Sequence, residues 1–340
     1  MTTTRIRPKV MITGVAGYIG SHAALAFVDA GWVVIGVDDL SVGRRSAVPE
    51  GVMFYEIDCA SPDITTIATT ESVQAAVHFA GKISVEESVA KPLEYYDANL
   101  TKAGKFFRSV TKAGVKGIVF SSTAAVYGDT GLVAVDETTA TVPSSPYGRS
   151  KLATEWMLQD HCAVTDPSYV ILRYFNVAGV DTQLRAGPSA GASHLIKIVA
   201  EAATGQRDNV VIHGDDNETP DGTCVRDYVH VSDLADAHVA AVQYLLDGHD
   251  SITLNCGYGL GFSVHEVIEN AKRYSPCTFT TSVGPPRAGD LVSVVADSTL
   301  LRSKFNWQPK HDDLGKILKS SIDWERAQLG HGPDKRRAGT

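Results

Sequence analysis

Short apolar strands alternating with helical stretches, a glycine turn between the first strand and the first helix, and an acid at the end of the second strand predict an α/β fold. The architecture expected is a doubly wound parallel sheet with a smaller mixed α/β lobe. A chain of 340 residues suffices for about two lobes around a sizeable core. An apolar fraction of 44% and a charged fraction of 21% are ordinary for a globular protein, and a net charge of -8 disfavours a polyanionic partner, so no nucleic acid partner is expected. No apolar run reaches the length of a bilayer span, and residues 1–9 lack the apolar core of a secretory signal, which predicts a cytoplasmic protein with no membrane partner. The five cysteines, Cys59, Cys162, Cys224, Cys256 and Cys277, are scattered without a C-x-x-C pair, which argues against disulfides and against a metal site.

Residues 9–13 read as a buried strand running into Gly14-Val15-Ala16-Gly17-Tyr18-Ile19-Gly20, after which residues 21–30 have helical composition. Gly14 and Gly17 let the backbone turn and approach a pyrophosphate, Gly20 lets the helix lie close to the strand, and free N–H groups at the helix start suit an anion. The spacing is G-x-x-G-x-x-G rather than the commoner G-x-G-x-x-G, so its position between strand and helix carries the inference. A second apolar strand over 32–37 ends at Asp38-Asp39, where a carboxylate accepts from the adenosine ribose hydroxyls. Asp38 is the stronger candidate. Its charge repels a 2′-phosphate and favours NAD over NADP, with Arg44 and Arg45 nearby as the opposing signal. A strand over 53–57 ends at Asp58-Cys59, placed beside the adenine, and one over 73–81 ends in Phe79-Ala80-Gly81, small enough for backbone to approach a cofactor. His78, alone inside that apolar strand, reads as a core residue.

A helix is expected over 94–110, carrying Asn99, and then a strand over 117–120 leading into Ser121-Ser122-Thr123. At the carboxyl edge of a parallel sheet Thr123 is placed to hydrogen-bond a substrate hydroxyl, whereas Ser121 and Ser122 read equally well as caps of the next turn. Further on, Tyr147 and Lys151 are four residues apart and share one face of a helix. A free phenol titrates near 10, so a base near neutral pH needs a shift of roughly three units, or about 4 kcal/mol, part of which a neighbouring ammonium supplies.

After residues 172–176 the composition changes to a Gly/Ala/Pro-rich loop over 177–192, followed by an apolar helix over 194–204 and a strand over 210–215. Arg226 and Arg287 each offer a planar fork of donors suited to a diphosphate, and Asp290 suits ribose hydroxyls. A helix capped by Ser232 or Asp233 and a strand over 251–256 return to the first lobe, with His230 and His238 read as structural and Ser263 as a further cap. The expected division is therefore 1–176 with 229–260 for the first lobe, 177–228 with 261–329 for the second, and a disordered tail over 330–340.

Taken in order, TGVAGYIGSH, VDDLSVG, VHFAGKISVEESVAKPLEYYDANL, FSSTAAVYGD, SPYGRSKL, LRYFNVAG, DGTCVRDYVHVSDLADAH and RAGDL resemble the extended short-chain dehydrogenase/reductase superfamily and, within it, the UDP-glucose 4-epimerase family. The resemblance implies a Rossmann-type sheet, bound NAD, a UDP-sugar substrate and a homodimer. It implies that Tyr147 is the catalytic base, that Lys151 binds the nicotinamide ribose and lowers the Tyr147 pKa, and that Thr123, where many members carry Ser, is the hydroxyl partner. To the cofactor contacts it adds Tyr18, Ile19, Asn99, Ser121 and Tyr174. To the substrate contacts it adds Asn176, His194, Leu195, Val211 and His213, with Val294 at a position that walls the sugar pocket. Two departures stand out. Where Leu-Lys usually follows Phe-Ala-Gly this chain has Lys82-Ile83, and His194 stands where Asn is frequent. A nucleotide-sugar dehydratase needs an acid beside the catalytic hydroxyl, and Thr123 is followed by Ala124 and Ala125, which favours a 4-epimerase. An N-acetylhexosamine or pentose 4-epimerase, a net dehydrogenase and a non-catalytic NAD-binding sensor are the competing readings.

Overall fold

The computed structural model describes residues 7–131, 134–189, 191–287 and 291–330. The expected tail beyond Gly330 and the proposed ribose acceptor Asp290 lie outside the described residues. The chain runs β1 (Lys9–Thr13), α1 (Tyr18–Asp29), β2 (Val33–Asp38), β3 (Met53–Glu56), α2 (Asp63–Thr70), β4 (Ala75–His78), α3 (Val85–Ala90), α4 (Pro92–Tyr96), α5 (Lys102–Lys112), β5 (Gly117–Thr123) and α6 (Pro146–Ala163). It continues through β6 (Ser168–Tyr174), β7 (Asn176–Ala178), α7 (Leu195–Ala203), β8 (Asn209–His213), β9 (Val225–His230), α8 (Val231–Leu246), β10 (Ile252–Cys256), β11 (Gly261–Ser263), α9 (Val264–Lys272), β12 (Thr280–Gly284), β13 (Ser293–Val294), α10 (Thr299–Phe305) and α11 (Leu314–Gly330).

Seven strands form one parallel sheet in the order β10-β6-β5-β4-β1-β2-β3. The order reverses between β1 and β4, and a ligand crevice opens at the carboxyl ends of strands at such a reversal. Alternation along β1 shows why both faces are covered: Val10 and Ile12 enter the core under α1 and α8, while Met11 enters the opposite core with Phe106, Phe107 and Leu158 of α5 and α6. A second sheet is centred on β9, which pairs with β7 and β13 in parallel and with β11 antiparallel, and β8 pairs with β12.

Two local features differ from the sequence reading. The helix expected over 94–110 starts at Pro92 and is interrupted by a π-type turn over Asp97–Thr101. The wide turn presents Asn99 inward without disturbing the apolar period of α5, so no periodicity signals it. The cap of α8 is His230, whose Nδ1 accepts from Ser232 N–H at 3.1 Å, not Ser232 or Asp233. Asp233 is instead buried, accepting from the Tyr258 hydroxyl and from the backbone N–H groups of Lys310 and His311.

Candidate active site

The glycine turn leaves β1 through Gly14 at φ +70°, and a Cβ on Gly20 would stand 2.0 Å from the Gly14 carbonyl oxygen, so α1 can approach β1 only with glycine there. Its N-cap is Gly17, so no cap side chain occupies the first-turn N–H groups of Tyr18 to Gly20. This cradle and its backbone donors fit a dinucleotide pyrophosphate. At the end of β2 the Asp38 carboxylate accepts from Ala16 N–H and Leu40 N–H, both at 2.9 Å, and partial burial holds it above the usual carboxylate range. Asp39 turns to Ser41, while Asp58 accepts from Lys102 Nζ at 2.7 Å beside the buried Cys59.

Beyond β4, Phe79, Ala80 and Gly81 lie next to the turn, with Ala80 N–H on Thr13 Oγ1. His78 is buried among Phe106, Phe107 and Phe120, and burial pushes its imidazole down to about 3. Asn99 acts as a clamp: Oδ1 accepts from Lys82 N–H at 2.8 Å, while Nδ2 donates to the Lys82 carbonyl and to Ser150 Oγ, each at 3.0 Å. The loop after β4 is thereby tied to α6. Lys82 Nζ itself pairs with Glu94 at 2.6 Å and Glu87 at 3.4 Å, and Ile83 is exposed.

Ser145 caps α6 by accepting from Gly148 N–H at 3.2 Å, and Pro146 opens the first turn. A Cβ on Gly148 would lie 2.6 Å from the Ala125 carbonyl oxygen, so this glycine lets α6 close onto the turn after β5. That approach brings the Tyr147 phenol beside the Thr123 hydroxyl. Burial raises the Tyr147 phenol above its ordinary value, and the Thr123 hydroxyl opposes the rise. One turn on, Lys151 is buried with Nζ 4.3 Å from the Phe120 ring centroid, and burial lowers its ammonium to about 7 against the opposing charge of Glu155. Ser121 lies 3.0 Å from His238 Nε2, and His238 Nδ1 lies 2.8 Å from the Leu234 carbonyl. A carbonyl only accepts, so Nδ1 carries the proton and Ser121 donates to Nε2; burial, which pushes this ring down to about 4, keeps it neutral. Tyr174 stands beside Ser121 at the end of β6.

The remaining candidates stand on the second sheet, at the start of α7, and on or just after the β8–β12 pair. Asn176 is exposed at the start of β7, and Arg226 on β9 is in register with Val294 on β13. Val294 is buried in one apolar cluster with Ala124, Val126 and Phe175, which puts it at the turn following Thr123. His194 caps α7 by accepting from Lys197 N–H, and its ring stacks on Tyr18 at 5.8 Å, so Tyr18 and Ile19 of the glycine turn lie close to the start of α7, where Leu195 is half-buried. His213 Nδ1 donates to the Pro285 carbonyl at 3.2 Å, holding the segment that leads to the exposed Arg287, and Val211 of the same pair is exposed. The fold thus gathers Ser121, Thr123, Tyr147, Lys151, Tyr174 and Val294 around the end of β5 and keeps Val211 and His213 on a separate two-stranded element, with Arg287 on the segment that leaves it.

Residues 10–257 match the NAD dependent epimerase/dehydratase family. The chain belongs to this family. It is 46% identical over 326 residues to a UDP-glucose 4-epimerase of Azospirillum brasilense, covering 95% of this chain and 94% of that one. The structure superposes with a TM-score of 0.91 on the UDP-glucose-4-epimerase of Stenotrophomonas maltophila with bound NAD and formylated UDP-arabinopyranose, 36% identical, covering 96% of this chain and all (100%) of that one. It superposes with a TM-score of 0.80 on the UDP-Glc/GlcNAc 4-epimerase of Campylobacter jejuni, 42% identical, covering 94% and 99%. The seven-stranded sheet is accordingly the Rossmann-type sheet of NAD-dependent epimerases.

Several residues that hold this family member's site together are silent in the sequence. Gly148, Ser150, Ser122, Glu155 and Arg173 touch one another or the Tyr147 turn only after β5, α6 and β6 have packed. A faint signal exists for Glu155, which repeats the four-residue step from Tyr147 to Lys151.

Proposed function

We propose that this chain interconverts UDP-glucose and UDP-galactose by inverting C4 through a transient 4-keto sugar. The observation that carries the reading is the Thr123–Tyr147–Lys151 constellation at the carboxyl edge of the sheet, with Ala124 and Ala125 in place of any acid. Bound NAD supplies the hydride acceptor and, after the sugar has turned, the hydride donor. Thr123 holds the sugar 4-hydroxyl, and Tyr147 accepts its proton as the C4–H hydride leaves. The cation at Lys151 stabilises the phenolate and fixes the nicotinamide ribose. The 4-keto sugar rotates about its link to the diphosphate, which Arg226 and Arg287 grip, and Tyr147 returns the proton once the other face is presented. Asp38 takes the adenosine ribose, with Asp39, Asp58, Cys59, Phe79, Ala80, Gly81, Ser121 and Tyr174 as further cofactor contacts. Asn99, whose amide is spent on Lys82 and Ser150, shapes the cofactor loop through those bonds.

In this reading the seven-stranded sheet with α8 and β10 forms the cofactor lobe, and residues 177–228 and 261–329 form the nucleotide-sugar lobe around Asn176, His194, Leu195, Val211, His213 and Asp290. The enzyme works in the cytoplasm as a homodimer; no described helix is long and apolar enough to cross a membrane. Val294 is a smaller wall than an aromatic residue at that position, which leaves room for an N-acetyl group, and the Campylobacter jejuni neighbour named for both UDP-Glc and UDP-GlcNAc favours this second specificity. Incubating the purified protein with UDP-galactose, UDP-N-acetylgalactosamine and UDP-arabinose without added NAD tests the set. Product from UDP-galactose without net NADH is expected, and stoichiometric NADH release would overturn the epimerase in favour of a dehydrogenase. Absence of UDP-N-acetylglucosamine formation would remove the second specificity.

A further inference from the structure

Tyr147, Lys151 and Glu155 follow one another at four-residue steps on α6, so the third side chain lies one turn beyond the lysine on the same face. Glu155 is 0% exposed, and a carboxylate is almost never that buried unless it is paired. Its oxygens are fully committed. Arg173 of β6 donates from Nε at 3.1 Å to both oxygens and from Nη2 at 2.6 Å, and Ser122 of β5 donates its hydroxyl to Oε1. Arg173 is fixed in turn by Tyr127, at 3.1 Å from Nη1, and the Tyr127 hydroxyl donates to Asn255 Oδ1 at 2.6 Å. The network therefore joins α6, β5, β6 and β10 directly beneath the residues proposed to do the chemistry. Ser122 precedes Thr123 in the chain, so the Glu155–Ser122 bond also fixes the strand end that carries the Thr123 hydroxyl.

We propose that Glu155 is the positioning residue of the Tyr147–Lys151 pair: held by Arg173 and Ser122, its carboxylate keeps the buried Lys151 a cation and locks α6 to the end of β5. The charges around Lys151 leave little alternative. On β4 it faces His78, which burial keeps neutral, on β5 the Phe120 ring, and on its own helix the phenol of Tyr147. Among the described residues Glu155 is the opposing charge acting on the lysine against its desolvation. The fork of Arg173 holds the Glu155 carboxylate in one place, on the face of α6 that carries Lys151.

The proposal rests on the epimerase reading, and the experiment separates the two. The parent holoenzyme is first assayed for UDP-galactose turnover with its NAD retained; an inactive parent overturns the functional reading, and with it the assignment of Glu155. Given an active parent, kcat/KM is measured against pH for Glu155→Gln, Glu155→Asp and the double variant Glu155→Gln/Arg173→Gln. The double variant removes both buried charges and so avoids stranding an unpaired guanidinium, which makes it the informative protein should Glu155→Gln fail to fold. With the lysine less readily protonated, the basic limb of the profile moves down by about one pH unit and the acidic limb, set by the phenol, moves up. Glu155→Asp restores part of the parent profile. A double variant that folds, retains NAD and keeps both limbs where the parent has them overturns the proposal, even if its rate is uniformly lower, because a purely structural role scales the profile without moving it.

Discussion

Around the carboxyl end of β5 the side chains are buried, with Tyr147 beside Thr123, Ser121 bonded to His238 and Glu155 to Arg173, whereas Asn176 and Val211 stand exposed on short strands, and Arg287 on the segment after β12, at the other end of the proposed site. The difference follows the two tasks. Proton and hydride transfer demand reacting atoms held at about 3–3.5 Å, and only a network anchored on several long strands of one sheet keeps side chains that still. A diphosphate can be gripped by long arginine side chains from a less constrained element, and a sugar that must offer both faces needs space around it.

The contrast breaks most sharply at Tyr147. Tyr147→Phe removes the proposed base while keeping the ring against Tyr95, so kcat is expected to fall by about 10³-fold with NAD retention and UDP affinity nearly unchanged. A variant that keeps its rate would dissolve the distinction between the two ends. Arg226→Ala should act in the opposite sense, raising KM for UDP-galactose by roughly 10–100-fold with kcat within a few-fold, since it removes binding shared by ground and transition states. If steady-state kinetics show the loss in kcat instead, the second sheet takes part in the chemistry.

The smallest effect sharpens the comparison through titration. Burial pushes His22 and His238 down to about 4 and His78 and His230 to about 3, so between roughly pH 3 and 6.5 the unfolded chain binds protons that the native protein does not. Stability therefore rises with pH across that window and is lost as pH falls below about 6.5. Replacing His78 with Phe, which keeps a ring stacked between Phe106 and Phe120, should flatten the slope by up to about 1.4 kcal/mol per pH unit. Urea midpoints at several pH values read this directly, and parallel slopes for parent and variant would show that His78 is not part of the acid-sensitive set.

The sheet was legible because its signal is local. Short strands with apolar centres such as β1 and β5, the glycines after β1 and the acid closing β2 each depend on neighbours in the chain. The helix cap at Ser145 and the Tyr147–Lys151 spacing are local in the same way. The π turn at Asp97–Thr101 was not, since its benefit lies in two backbone bonds from Asn99 to Lys82, seventeen residues back, and a third to Ser150, fifty-one residues on. Lys82 shows the same limit from the other direction: the one-residue displacement is visible in the sequence, but only the fold shows its ammonium held by Glu87 and Glu94.

By itself, then, the sequence determined the parallel sheet, the glycine turn after β1 and the shared helix face of Tyr147 and Lys151, because strand period, glycine geometry and helical spacing are properties of contiguous residues. Tertiary structure alone decided that Gly148 must be small, that Asn99 serves the loop after β4, and that Glu155 is buried beneath Lys151. These depend on α6 lying within touching distance of β5 and β6, and on the loss of water that makes one fixed carboxylate matter to a neighbouring lysine.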